Sequence, residues 1–142
     1  MEIQRDPKKA GVGKTALVVD DNAPIRKMLA AAFLSDGFKS CGEAENGKEG
    51  IEVAKQIKPD IIILDFSMPV MNGLDAASEL RKLFPNTPIV LFTFYRDSLI
   101  ETAASEAGVS LVLMKSIAPS TLVDHARRLM GDWFVKPPNL DD

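Results

Sequence analysis

Apolar positions along this chain fall into two alternating kinds of run. Short blocks at Ala16–Val19, Lys39–Gly42, Ile61–Leu64, Ile89–Phe92 and Leu111–Met114 are separated by longer stretches whose apolar residues recur at helical spacing. Three of the short blocks are continuously aliphatic, as strands covered on both faces are. The first long stretch has Asn22 as a cap, Pro24 in its opening turn, Ile25, Met28, Leu29 and Phe33 as its apolar stripe and Gly37 as its stop. The second spans residues 47–58 on Ile51, Ala54 and Ile57; the third follows Gly73 with Leu74, Ala77, Leu80 and Phe84, and ends at Pro85. The fourth, Ser98–Ala107, is alanine-rich, and the fifth runs from Pro119 through Leu122, Val123, Ala126 and Leu129 to Gly131. Five strands alternating with five helices predict an α/β domain built of βαβ units on a parallel sheet.

Composition narrows the class. A chain of 142 residues, 46% hydrophobic and 26% charged, is the size and make-up of one globular domain. The ordered unit is expected over residues 15–131, with residues 1–14 as a flexible arm and residues 132–142 as a tail in which Trp133 and Phe134 pack back on the domain. Cys41 is the only cysteine, so no internal disulfide exists, and the opening Met1–Asp6 lacks the basic and apolar regions of a secretory signal. The expected compartment is the cytoplasm. No apolar run reaches membrane-span length, and a net charge of −3 argues against a surface for nucleic acid. The stretch Gly11-Val12-Gly13-Lys14-Thr15 imitates a phosphate loop, but the required first glycine is replaced by Lys8 and the strand follows rather than precedes. His125, beside Asp124 and Arg127 on the last helix, reads as a surface or half-buried side chain rather than a ligand.

Ligands of open parallel sheets bind at the carboxyl ends of the strands, near the point where strand order reverses. Asp20 and Asp21 follow the first strand, Asp65 the third, Thr93 the fourth and Lys115 the fifth. Three carboxylates on one edge require positive charge, which Lys115 supplies in part. A hard divalent cation supplies the rest, and Mg2+ suits one or two carboxylates, waters and a phosphoryl oxygen. One aspartate is then placed to act as nucleophile and form an acyl phosphate, with Lys115 and the Thr93 hydroxyl on the transferred oxygens.

These residues, in the runs Leu17–Asn22, Ile61–Leu74, Thr93 and Gly108–Lys115, resemble the receiver domain of two-component response regulators, and the resemblance covers residues 15–130. It implies a flavodoxin-like, doubly wound (βα)5 fold with strand order 2-1-3-4-5. It implies Asp65 as phospho-acceptor, Asp21 as a magnesium ligand, Asp20 as a ligand directly or through water, and the backbone carbonyl of Ser67 as a further ligand. Lys115 and Thr93 are implied to touch the phosphoryl group, while Pro69 and Gly73 shape the loop. The implied donor is a sensor histidine kinase or a histidine phosphotransfer protein. The implied output is a downstream protein partner, or a homodimer, on the face of the fourth helix, fifth strand and fifth helix. Such a domain is a switch that assists only its own phosphorylation and dephosphorylation, and is not an enzyme acting on other substrates. With no output domain after it, the chain reads as a stand-alone regulator or a piece of a longer one.

Three residues depart from the family pattern. Phe94 stands where a small residue usually follows the threonine, and slower phosphorylation, slower hydrolysis, or both are expected from it. Val112 replaces an aromatic residue on the fifth strand, so Tyr95 or Phe94 takes over the coupling or the output surface is set differently. Ser116 replaces a proline whose bond with the lysine is normally cis, so that bond is trans with Lys115 re-aimed, or a costly cis peptide is retained. Two other readings stay open: a degenerate receiver that binds partners without phosphorylation, and an aspartyl-phosphate phosphatase. The phosphatase normally carries a D-x-D motif and a cap domain, whereas the acids here are adjacent and the chain is short.

Overall fold

Every predicted block becomes an element in the computed structural model, which describes residues 13–131. Residues 1–12 and 132–142 lie outside the described residues, so most of the expected arm and the whole tail with Trp133 and Phe134 are among those not described. The strands are β1 (Thr15–Val19), β2 (Ser40–Ala44), β3 (Ile61–Asp65), β4 (Ile89–Thr93) and β5 (Leu111–Met114). The helices are α1 (Ala23–Ser35), α2 (Gly47–Ile57), α3 (Gly73–Leu83), α4 (Ser98–Glu106) and α5 (Pro119–Leu129). All strand pairs are parallel and the order is β2-β1-β3-β4-β5, as expected.

Alternation along the central strands divides the core in two. Ala16 and Val18 of β1 with Ile61 and Ile63 of β3 face Phe33 of α1 and Leu122 of α5. Leu17 and Val19 with Ile62 and Leu64 face Ala54 of α2, Leu80 of α3 and Ala104 of α4. A one-residue slip in either strand would exchange the two faces, so register is tightly specified.

Four of the five helices begin at a side chain that accepts a hydrogen bond from the third residue on: Asn22 from Ile25 N, Asn46 from Glu49 N, Asn72 from Asp75 N and Asp97 from Ile100 N. Each satisfies one backbone donor that the first turn leaves open. The fifth helix lacks such a cap and opens on Pro119 instead.

Two expectations are corrected. Strand β2 lies at Ser40–Ala44 rather than Lys39–Gly42, because its register pairs Thr15 with Ser40 and Val19 with Ala44. Its charged Glu43, which breaks the apolar pattern, is held by Arg26 and Lys27. On α1, Met28 is 51% exposed, and the buried face carries Arg26, Leu29, Ala30 and Phe33. Arg26 turns inward because its guanidinium finds the Asp20 carbonyl and Glu43 there. His125 is half-buried, and Cys41 is a free thiol pushed up to about 12 by burial and by the charge of Glu43.

Candidate functional site

The carboxyl ends of β1, β3, β4 and β5 bring the acidic and basic residues together. Asp20 follows β1 directly, Asp65 ends β3, Thr93 ends β4, and Lys115 follows β5. One carboxylate oxygen from each of Asp20, Asp21 and Asp65 lies within 4.8 Å of the others. Asp20 and Asp65 are buried, 1% and 5% exposed, whereas Asp21 faces solvent. The Lys115 ammonium stands between the two buried acids, with Nζ 2.9 Å from Asp20 Oδ2 and 2.9 Å from Asp65 Oδ1.

Each member is held by backbone geometry. The Asp20 N–H donates to the Ala44 carbonyl at 3.0 Å, and its own carbonyl accepts from Arg26 Nη1 at 2.7 Å. Its second carboxylate oxygen accepts from Asn22 N at 2.8 Å, tying the acid to the start of α1. The Thr93 hydroxyl oxygen accepts from Tyr95 N at 3.1 Å, and the Lys115 N–H donates to the Thr93 carbonyl at 2.7 Å. Among the described residues no peptide bond is cis, so Lys115–Ser116 is trans and the lysine still reaches both acids.

The loop after Asp65 packs closely. Gly73 opens α3 so near β3 that a Cβ there would lie 2.2 Å from the Asp65 carbonyl oxygen. Only glycine fits that approach without moving backbone. Val70, at φ 69°, occupies the left-handed region in which β-branched residues are rare, while Met71 N donates to the Pro69 carbonyl at 2.7 Å. Strain of this kind is commonly concentrated beside functional sites. Ser67 lies on the exposed part of this loop.

Burial pushes the Asp65 carboxyl up to about 6; Lys115 opposes the shift, while the charge of Asp20 and a hydrogen bond with Asp21 add to it. Burial alone would lower the Lys115 ammonium, but its hydrogen bonds to Asp65 and Asp20 outweigh it, and the net direction is upward. The donor set suits a hard cation: all three side chains offer oxygen, they share one small volume, and Asp21 keeps one side open to water. A buried carboxylate against a cation is also suited to accept and stabilise a phosphoryl group.

The sequence reasoning placed Asp20, Asp21, Asp65, Thr93 and Lys115 on one edge, and the structure brings them there. It missed Arg26, which beside Lys27 on the first helix reads as a solvated charge. Val112 is buried against the α4 side of the sheet, whereas Phe94 and Tyr95 are exposed.

An open five-stranded parallel sheet with an acidic nest and one lysine at its switch point defines a doubly wound α/β domain with a candidate cation site as a class. The sequence model of the response regulator receiver domain matches residues 16–127, and the chain belongs to that family, the receiver domains of two-component response regulators. It is 38% identical over 113 residues to the chemotaxis protein CheY of Thermotoga maritima, covering 80% of this chain and 94% of that protein. It is 37% identical over 114 residues to the transcriptional regulatory protein PdtaR of Mycobacterium tuberculosis, where it covers 80% of this chain but 55% of that protein. The chain thus spans about half the length of that regulator and nearly all of CheY. Among solved structures it resembles Vibrio cholerae CheY4 with a TM-score of 0.78 and 28% identity, covering 82% of this chain and 98% of the other. Among the described residues no helix is long and apolar enough to cross a membrane.

Proposed function

We propose that the chain is a phosphorylation-controlled switch in which Asp65 takes a phosphoryl group from the phosphohistidine of a sensor histidine kinase or a histidine phosphotransfer protein. The observation that carries this reading is the shared position of Lys115 between the buried carboxylates of Asp65 and Asp20, with Asp21 beside them. Asp65 attacks phosphorus as its carboxylate, the phosphorus–nitrogen bond of the donor breaks, and the imidazole nitrogen keeps the electron pair and takes up a proton. Lys115 and the Thr93 hydroxyl donate to the transferred oxygens, and Lys115 remains anchored by Asp20. Asp20, Asp21 and Asp65, with the Ser67 carbonyl, would hold Mg2+, which when bound neutralises charge on the phosphoryl oxygens. The domain assists only its own phosphorylation and dephosphorylation.

The receiver unit is residues 15–131, working in the cytoplasm. Its output is a protein-interaction face of α4, β5 and α5, where Leu99 and Met114 are exposed apolar side chains. A downstream protein partner, or a second copy of the chain, is the occupant of that face.

Incubation with acetyl phosphate and Mg2+, followed by intact-mass measurement, tests the reading. One phosphoryl adduct is expected on the parent protein, with none on D65N or with the metal chelated. Absence of an adduct on the parent contradicts it and favours a phosphorylation-independent interaction module; turnover of external substrate contradicts it in favour of an enzyme.

A further inference from the structure

Only Glu45 and Asn46 separate β2 from α2, and this short connection borders the site on both sides. Before it, the Ala44 carbonyl accepts from the Asp20 N–H at 3.0 Å. After it, the Gly47 N–H donates to the Met71 carbonyl at 3.1 Å, so a donor that the first turn of α2 leaves open is satisfied by the loop after β3. Gly47 is buried, and a Cβ there would stand 2.7 Å from the Met71 carbonyl oxygen and 2.9 Å from both Met71 Cγ and Ala76 Cβ. The loop it meets needs holding. Val70 sits at φ 69° beside the tight turn from Met71 N to the Pro69 carbonyl, a conformation that a β-branched residue keeps only where its surroundings impose it. Among the described residues, the hydrogen bond from Gly47 is the one that ties residues 67–71 to another element. The Gly73 N–H, which donates to the Phe66 carbonyl at 2.9 Å, closes the loop on itself instead.

We propose that Gly47 is a positioning residue for the cation site: through the Met71 carbonyl it fixes the Val70 turn, and so the main chain that presents the Ser67 carbonyl to the ion. This rests on the reading of Asp20, Asp21, Asp65 and the Ser67 carbonyl as the holders of Mg2+. The three aspartates reach the site by side chains that turn about their own bonds, whereas a carbonyl goes where its main chain puts it. Ser67 lies on the exposed stretch of the same loop, and among the described residues no hydrogen bond of its own fixes it. A methyl on residue 47 would push against the Met71 oxygen, and the turn and Ser67 would move with it. Groups that hold a ligand in place without touching the ion have a large effect on affinity.

The test uses Mg2+ alone and needs no phosphorylation. Binding is measured by calorimetry on the parent, G47A and G50A, with urea unfolding to compare their stabilities. G50A is the matched control, because a Cβ at Gly50 would be as crowded, 2.9 Å from Val19 Cγ2, but against a core side chain of β1 rather than the loop. G47A is expected to weaken Mg2+ binding about tenfold, and G50A to leave it unchanged. Coupling is reciprocal, so in the parent protein Mg2+ is expected to slow hydrogen exchange of the Gly47 N–H by a similar factor. Exchange of the Gly50 N–H, which donates to the Asn46 carbonyl at the start of α2, is expected to stay the same. That second measurement decides the matter if G47A does not fold. Equal affinity for G47A and the parent overturns the proposal, as does equal weakening by G47A and G50A, or Gly47 exchange that Mg2+ does not alter. A parent protein that binds no Mg2+ instead overturns the cation site itself and, with it, the role of Gly47.

Discussion

Burial, with the charge of Asp20, holds the Asp65 carboxyl at about 6, above its ordinary 3.8, even though Lys115 pulls the other way. A carboxyl that binds its proton more tightly in the folded state contributes stability that is complete below 3.8 and lost as pH rises through about 6. Carboxyl NMR titration of the metal-free protein is therefore expected to give Asp65 a midpoint near 6, and D65N is expected to gain stability relative to the parent between about pH 4 and pH 7. A midpoint near 3.8 would contradict the burial assigned to this group. At Gly73 the constraint is steric, since an added methyl meets the Asp65 carbonyl, and main chain cannot yield as a flexible side chain does. G73A is expected to lower stability by about 1–3 kcal/mol, measured by urea unfolding, and to slow phosphorylation at Asp65 by displacing it. A fully stable, fully reactive G73A would show that β3 and α3 are less closely packed than described. The acids and Lys115 were legible because each ends an apolar strand. Ser67 offers a backbone atom, which leaves no mark in residue type.

At the level of elements, two arginines, Arg26 buried and Arg81 half-buried, act as ties at opposite edges of the sheet. Arg26 joins α1 to the end of β1 and to β2 through the Asp20 carbonyl and Glu43. Arg81 joins the end of α3 to the approach to β4 and to the turn before β5, donating to the carbonyls of Phe84, Thr87 and Gly108. Charge-assisted hydrogen bonds of this kind contribute about 1.5–3 kcal/mol, so R26M and R81M are each expected to cost about 2 kcal/mol in chemical unfolding. Only R26M is expected to weaken Mg2+ binding, measured by calorimetry, because of the two only Arg26 holds the backbone of Asp20, one of the carboxylates proposed to hold the ion. Equal weakening by both would mean that the loss is general softening. These ties were illegible in sequence because an arginine on a helix ordinarily reads as solvated. The caps Asn46, Asn72 and Asp97 were readable, each standing just before a helical stripe, but only Asn22 was singled out. Strand β2 was misplaced because an edge strand carrying Glu43 has no continuous apolar signal.

Across the whole molecule, the five strands and their parallel pairing followed from the alternation of short and long apolar runs, whereas the strand order followed from the family resemblance. Periodicity supplied the scaffold, and strand ends supplied the site. Periodicity does not encode the contact of Phe94 with Lys115; Phe94 stood out in the sequence only as a bulky residue directly after Thr93. The site has a small acidic volume, one anchored lysine and one hydroxyl, and the proposed function makes Asp65 the residue that changes covalently. The most direct measurement is borohydride reduction of the protein phosphorylated in Mg2+, followed by peptide mapping, because reduction of an aspartyl phosphate leaves homoserine at the acceptor position. Homoserine at position 65 is the predicted result; homoserine at position 20 or 21, or at no position in a protein that carries the phosphoryl group, contradicts it.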